Sequence, residues 1–111
     1  MQTRWSYREA LAFIYSFTDY EKKVPQAYAP QFYDLAREHR LLALLGDPQQ
    51  TFRVVHIAGT KGKGSTAAMT ACILGRTGAR VGLYTSPHVE CIRERIVVNG
   101  EWIPQERVVA H

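Results

Sequence analysis

The chain has 111 residues, 46% of them hydrophobic, and a formal charge of +4, the size and apolar content of one ordinary folding domain. The basic balance comes without an aromatic-interleaved Lys/Arg stripe or a known nucleic-acid motif, so a small anionic substrate or solvated surface charge accounts for it and no nucleic-acid partner is expected. Cys72 and Cys91 lack metal spacing and read as reduced thiols, and no signal peptide or membrane-length apolar run is present, so the cytoplasm is the expected compartment and no membrane partner is expected.

Ser6 followed by Glu9 makes a capping box and predicts a helix start. Ala10, Phe13, Ile14 and Phe17 then fall on one face at helical spacing. Residues 18–30 carry Pro25, Pro30 and a charged cluster and read as a loop, with Tyr20 and Tyr28 as packing residues. A second helix is predicted from Gln31 to Leu45 with Phe32, Leu35, Ala36, Leu42 and Leu45 inward, ended by Gly46 and Pro48.

Thr51 to Ala58 reads as a strand, with Val54, Val55 and Ile57 at its centre and His56 as an in-strand histidine that satisfies a core hydrogen bond. The turn that follows, Gly59-Thr60-Lys61-Gly62-Lys63-Gly64, leads into a helix from Ser65 to Arg76 rich in small residues. Strand, glycine turn and helix start form a phosphate cradle: free N–H groups at a helix N-terminus face the anion, the helix dipole favours it, and glycine lets the backbone approach. Lys63 would reach the terminal phosphates, and a hydroxyl of Ser65 or Thr66 would sit near magnesium. The ordinary G-x-x-x-x-G-K-[ST] pattern would need glycine at Ile57 and a hydroxyl at Gly64, so the loop is a shorter variant.

Gly78 ends the small-sided helix, and Arg80 to Tyr84 reads as the next strand. One helix between two strands predicts a βαβ unit with parallel pairing and a right-handed crossover. Thr85-Ser86-Pro87-His88 then lies past that strand's carboxyl end, on the rim where ligands bind in open α/β sheets, which is why Ser86 is singled out with Lys63. Residues 89–94 read as an irregular loop. Arg95–Val98 and Glu101–Ile103 flank Asn99-Gly100, a hairpin signal, and Pro104 fits the first turn of a helix containing Val108 and Val109. Two parallel strands and a hairpin cannot cover a buried parallel sheet, so the chain is expected to be an N-terminal fragment of a longer protein. Its expected organisation is a helical lead-in over 1–50 and the start of a truncated nucleotide-binding domain over 51–111.

The variant loop Gly59-Thr60-x-Gly62-Lys63-Gly64-Ser65 resembles the nucleotide loop of the Mur ligase superfamily. YREALAFIYSF, FYDLAREHRLLALLGDPQ, HIAGTKGKGST, VGLYTSPH and ERIVVNG, in that order, resemble the start of the folylpolyglutamate synthase and dihydrofolate synthase branch. The fold implied is an α/β, P-loop-type three-layer fold with a parallel sheet, the incomplete N-terminal part of a Mur ligase-like ATP-binding domain. The activity implied for the parent is an ATP-dependent amide ligase: a folate or dihydropteroate carboxylate is phosphorylated, and the amine of L-glutamate attacks the acyl phosphate. ATP and Mg²⁺ are the implied cofactors, the three small molecules the implied partners, and a monomer the implied state of the parent.

By the same resemblance, Gly59, Thr60, Lys61, Gly62, Lys63, Gly64, Ser65 and Thr66 hold the phosphates, with Lys63 catalytic. Ser65 and Ser86 would bind magnesium, and Pro87, His88 and Arg95 belong to the segment that closes over ATP and the pterin. Lys61 stands where asparagine is commonest. For Arg93, Glu94 and Arg95 the alternatives are a solvated charge run and an ordered loop anchor, and the resemblance favours the anchor. The remaining metal ligands and the glutamate site are expected outside these residues, so the chain alone is expected to be inactive. Two other readings are a non-catalytic nucleotide-binding fragment and a Mur-type cell-wall ligase. TSPH and ERI count against the latter.

Overall fold

The computed structural model describes residues 5–17 and 34–110. The expectations for 18–33, including Tyr20, Tyr28, Phe32 and the proposed helix start at Gln31, lie outside the described residues. Residues 34–56 form one compact unit, and residues 57–110 form another together with 5–17.

The first helix, α1 (Tyr7–Tyr15), starts at the capping box read from the sequence. The Glu9 carboxylate accepts from the Ser6 N–H at 2.7 Å, and the Glu9 N–H donates to Ser6 Oγ at 3.3 Å. The bond from the Ser6 N–H and a second, from the Ser6 hydroxyl to the same carboxylate oxygen at 2.7 Å, favour the charged form and hold the Glu9 carboxyl below its usual range. The inward face is rotated from the expected one. Ala10 is buried and Tyr7 and Leu11 are half-buried, whereas Phe13 and Phe17 are exposed. The exposed aromatics form their own edge-to-face row, Trp5 on Phe13 and Phe13 on Phe17, with centroids 5.2 and 5.0 Å apart.

In the 34–56 unit, α2 (Ala36–Leu44) begins where the Asp34 carboxylate accepts from the Ala36 N–H at 2.9 Å. It ends at Gly46, whose φ is 80°. The Asp47 N–H reaches back to the Leu42 carbonyl and the Gly46 N–H to that of Ala43, the paired bonds of a Schellman stop. Leu35, Ala36 and Leu45, expected inward, are exposed, and Leu42 is half-buried. Pro48–Gln50 is a single 3-10 turn.

The strand expected over Thr51–Ala58 is not formed. A strand exists by its ladder, and residues 52–61 make no backbone hydrogen bond among the described residues. Val54 and Val55 are exposed, and His56 is exposed as well rather than satisfying a core bond.

The larger unit continues with α3 (Lys63–Arg76), which starts two residues before the expected Ser65, so Lys63 and Gly64 belong to its first turn. Then come β1 (Gly82–Tyr84), β2 (Ile96–Val98), β3 (Glu101–Trp102) and α4 (Gln105–Ala110). The sheet runs β1-β2-β3 and is antiparallel throughout, pairing Leu83 with Val97 and Val97 with Trp102. The expected parallel βαβ unit is therefore absent among the described residues, because its first strand has no ladder. β1 finds its partner instead in the strand that returns from the hairpin.

Asn99 and Gly100 form the expected two-residue hairpin, with φ of 50° and 84°, a pair of left-handed residues as a type I′ turn demands. Asn99 also fastens the far strand. Its N–H donates to the Val81 carbonyl at 2.8 Å, and its Oδ1 accepts from the Val81 N–H at 2.9 Å. α4 follows Pro104 as expected, with the Val108 N–H donating to the Pro104 carbonyl. The small face of α3 does not close on the sheet. A groove of about 600 Å³ lies between Ala68, Ala71 and Cys72 on one side and Val81, Leu83 and Val97 on the other.

Candidate functional site

The glycine loop runs into a 14-residue helix with no side-chain cap. Gly62 occupies the cap position with φ 74°, a left-handed conformation that costs a residue with a Cβ. That conformation lets the chain turn directly from the loop into α3. The Thr66 N–H donates to the Gly62 carbonyl at 2.9 Å, the first bond of the helix. The N–H groups ahead of it, those of Lys63, Gly64 and Ser65, find no acceptor among the described residues.

Unsatisfied donors at the positive end of a helix dipole suit an anion. The loop folds close upon itself: a Cβ built on Gly59 would lie 3.9 Å from the Lys63 Cγ, so the lysine stem passes beside that glycine. Thr60, Lys61, Ser65 and Thr66 are exposed, with their polar ends available to a ligand.

The second group of site residues lies between β1 and β2. Ser86 and Pro87, joined by a cis peptide bond, follow Thr85 past the carboxyl end of β1. The Thr85 N–H donates to the Arg95 carbonyl at 3.1 Å, closing the excursion at its base. Residues Ile92–Arg95, expected as an irregular loop running into a strand, form a 3-10 turn.

Glu94 organises that turn. Its carboxylate accepts from the N–H groups of Val89, Glu90 and Cys91 at 3.1, 2.7 and 2.8 Å. Those bonds, chiefly the one from Cys91, hold the Glu94 carboxyl below its ordinary range. Arg93 donates through Nε to the Ile103 carbonyl at 2.7 Å and lies 6.0 Å over the Trp102 ring. Glu94 and Arg93 are thus ordered anchors rather than a solvated charge run.

His88 is half-buried. Arg95 donates through Nε to its Nδ1 at 2.8 Å, and the Tyr15 hydroxyl lies 3.4 Å from its Nε2. Tyr7 of α1 borders the same segment: burial pushes its phenol up, Cys91 and Tyr15 add to that, and Arg93 opposes it. The structure joins His88 to Arg95, a contact the sequence did not predict, and adds Tyr15 and Tyr7, which the sequence did not single out. Tyr7, Leu11 and Tyr15 recur at i, i+4 and i+8, a helical stripe that marks the face of α1 carrying them.

Among the described residues no hydrogen bond joins the Ser86 side chain to the glycine loop. With 54–57 unpaired, the shared rim of two parallel strands is not there to place them together. Among the described residues no group of three or more His, Cys, Asp or Glu is placed to hold a metal.

Loop, helix dipole and open N–H groups define the chain as an α/β protein with a candidate phosphate-binding element. No family model matches it. In sequence it is 51% identical over 71 residues to a probable bifunctional folylpolyglutamate synthase/dihydropteroate synthase of Haloferax volcanii, covering 64% of this chain and 8% of that protein. In structure it matches the folylpolyglutamate synthetase of Lactobacillus casei with TM-score 0.78 and 40% identity, over 96% of this chain and 24% of that one. A solved FPGS–AMPPCP–folate complex matches with TM-score 0.80 and 40% identity over the same shares. The chain is thus similar in sequence and fold to a part of the folylpolyglutamate synthases, the branch to which its motifs pointed. It spans less than a quarter of the length of each of these relatives, at most 24%. Among the described residues no helix is long and apolar enough to cross a membrane.

Proposed function

We propose that this chain supplies the ATP-phosphate grip of an ATP-dependent ligase that joins L-glutamate to a folate or dihydropteroate carboxylate through an acyl phosphate. The observation that carries the proposal is the set of open N–H groups of Lys63, Gly64 and Ser65 at the start of α3, behind the left-handed Gly62. Support comes from the solved relatives, one of which holds AMPPCP and folate together.

In this reading Gly59, Thr60, Lys61, Gly62 and Gly64 shape the cradle, and Lys63 places its ammonium on the phosphoryl group that transfers. Charge grows on that group during transfer, so a fixed cation and aimed N–H donors stabilise the transition state more than the ground state. Pro87, His88 and Arg95 shape the segment beside the folate. The apolar 54–57 stretch, exposed as it stands, suits a parallel strand once neighbouring strands supply its ladder, completing a P-loop-type three-layer fold.

The donor set fits magnesium. Ser65 and Ser86 offer exposed hydroxyl oxygens, and Mg²⁺ takes hard oxygen ligands, few of them from protein and the rest from phosphate and water. Ser65 and Ser86 would hold it, with Thr66 as the weaker candidate beside Ser65. When bound, the ion would neutralise charge between phosphate oxygens.

The test is Lys63→Ala in the full-length protein, assayed for glutamate addition to folate and for thermal stability. Turnover should fall by about 10²-fold or more, the usual effect of deleting one aimed transition-state group, with little change in melting temperature. Near wild-type turnover would refute the assignment.

A further inference from the structure

Tyr15 ends α1, and its hydroxyl is the polar atom through which that helix meets His88. The chemistry of the three side chains fixes how they share hydrogens. A guanidinium nitrogen can only donate, so the Arg95 Nε–H at 2.8 Å requires a lone pair on His88 Nδ1. A neutral imidazole with its lone pair on Nδ1 carries its hydrogen on Nε2, which then donates to the Tyr15 oxygen at 3.4 Å. Both ring nitrogens are used inside the chain. In this arrangement His88 has no lone pair left for a metal and no uncommitted hydrogen for a substrate.

Resting on the reading above, we propose that Tyr15 and Arg95 are positioning residues. They act through a neutral His88 to hold the Ser86-Pro87-His88 segment against α1. The rest of the excursion is held by backbone-directed bonds: the Thr85 N–H to the Arg95 carbonyl at its base, and the Glu94 carboxylate on the N–H groups of Val89, Glu90 and Cys91. The tilted contact between the Tyr15 and His88 rings, centroids 6.5 Å apart, fixes the same pair by shape. His88 is thus a strut between the N-terminal helix and the segment that carries Ser86, rather than a group that touches ligand.

Glutamine is the discriminating replacement. It is neutral and offers one carbonyl acceptor and one amide donor, so His88→Gln can bridge Arg95 and Tyr15, whereas His88→Ala cannot. In the full-length protein His88→Ala should raise the KM for folate about tenfold and leave the KM for ATP near wild type. His88→Gln should recover to within about threefold of wild type, and Tyr15→Phe should cost roughly two- to tenfold, the range for one lost hydrogen bond.

The ring ¹⁵N spectrum of the histidine-labelled protein gives a readout independent of turnover. It should place the His88 hydrogen on Nε2, with that resonance shifted in Tyr15→Phe. A hydrogen on Nδ1, or a glutamine variant no better than alanine, would overturn the strut. So would wild-type kinetics in both His88→Ala and Tyr15→Phe. Should His88→Ala fail to fold, the glutamine and phenylalanine variants and the spectrum still decide. The same assay on Lys63→Ala separates the two readings. Full turnover there would remove the ligase assignment, while the His88 spectrum would still stand or fall by itself.

Discussion

The loop and helix at 59–76 and the excursion at 85–95 treat their polar groups in opposite ways. At the start of α3 the N–H groups of Lys63, Gly64 and Ser65 are left open. In the excursion several polar groups are matched within the chain: Glu94 takes three N–H groups, Arg93 reaches Ile103, and His88 uses both ring nitrogens. Open donors at a helix end bind, because an incoming anion satisfies them. Closed networks position, because satisfied groups have nothing left to gain from a ligand. In the proposed function this difference would divide the work: 59–66 would hold phosphate, and 85–95, its Ser86 hydroxyl apart, would be a shaped wall.

Substitutions can break that contrast. Gly62→Val should have the largest effect. A β-branched residue at φ 74° is strained by about 1–3 kcal/mol, and the strain falls on the turn that aims the open N–H groups. Affinity for an ATP analogue, measured by calorimetry on the full-length protein, should drop at least tenfold. Unchanged affinity would mean the turn does not aim the donors.

Ser86→Ala should weaken magnesium-dependent turnover more than it weakens ATP binding, since the loop backbone still grips phosphate while the metal loses one oxygen. A magnesium titration of activity, compared with nucleotide affinity, checks this. An unchanged magnesium dependence would leave Ser86 as a turn residue before Pro87.

Glu94→Gln sharpens the other half. The amide keeps one acceptor oxygen where the carboxylate offers two, so order in residues 89–91 should fall, read as faster amide exchange there with none at 63–66. The Glu94 carboxyl is held below its ordinary range in the fold. Its stabilising effect is therefore complete above the ordinary carboxylate range and is lost as pH falls through the lowered value. Acidification should loosen 89–91 in the wild type, and this acid step should disappear in Glu94→Gln.

The smallest effect is expected for Asn99→Ala. It removes the bond to the Val81 N–H and places alanine at φ 50°, for about 1–2 kcal/mol of stability by chemical denaturation. Nucleotide affinity should not change.

What the sequence made legible follows from the range of the forces involved. The α1 capping box, the Gly46 stop and the Asn99-Gly100 turn are set by neighbours within a few residues and stand where they were expected, whereas α3 takes Lys63 and Gly64 from the expected glycine turn into its first turn. The strand at Val54–Ile57 and the parallel pairing depend on a ladder with distant chain, and periodicity alone carries no information about the partner. The inward face of α1 failed for a related reason. Phe13 and Phe17 have the right spacing, but Tyr7 and Leu11 are the half-buried positions, Tyr7 lying near Cys91 and Arg93 and the Tyr15 hydroxyl meeting His88. Lys63, His88 and Arg95 could be named from the motif. Tyr15 could not, because its partner is 73 residues away.

The most direct test of the central claim is residue-resolved amide exchange in the full-length protein with and without AMPPCP and magnesium. Phosphate accepted by the open N–H groups should slow exchange at Lys63, Gly64 and Ser65, while Val89, Glu90 and Cys91, already bound to Glu94, stay as they were. Protection at 89–91 with none at 63–65 would contradict the account.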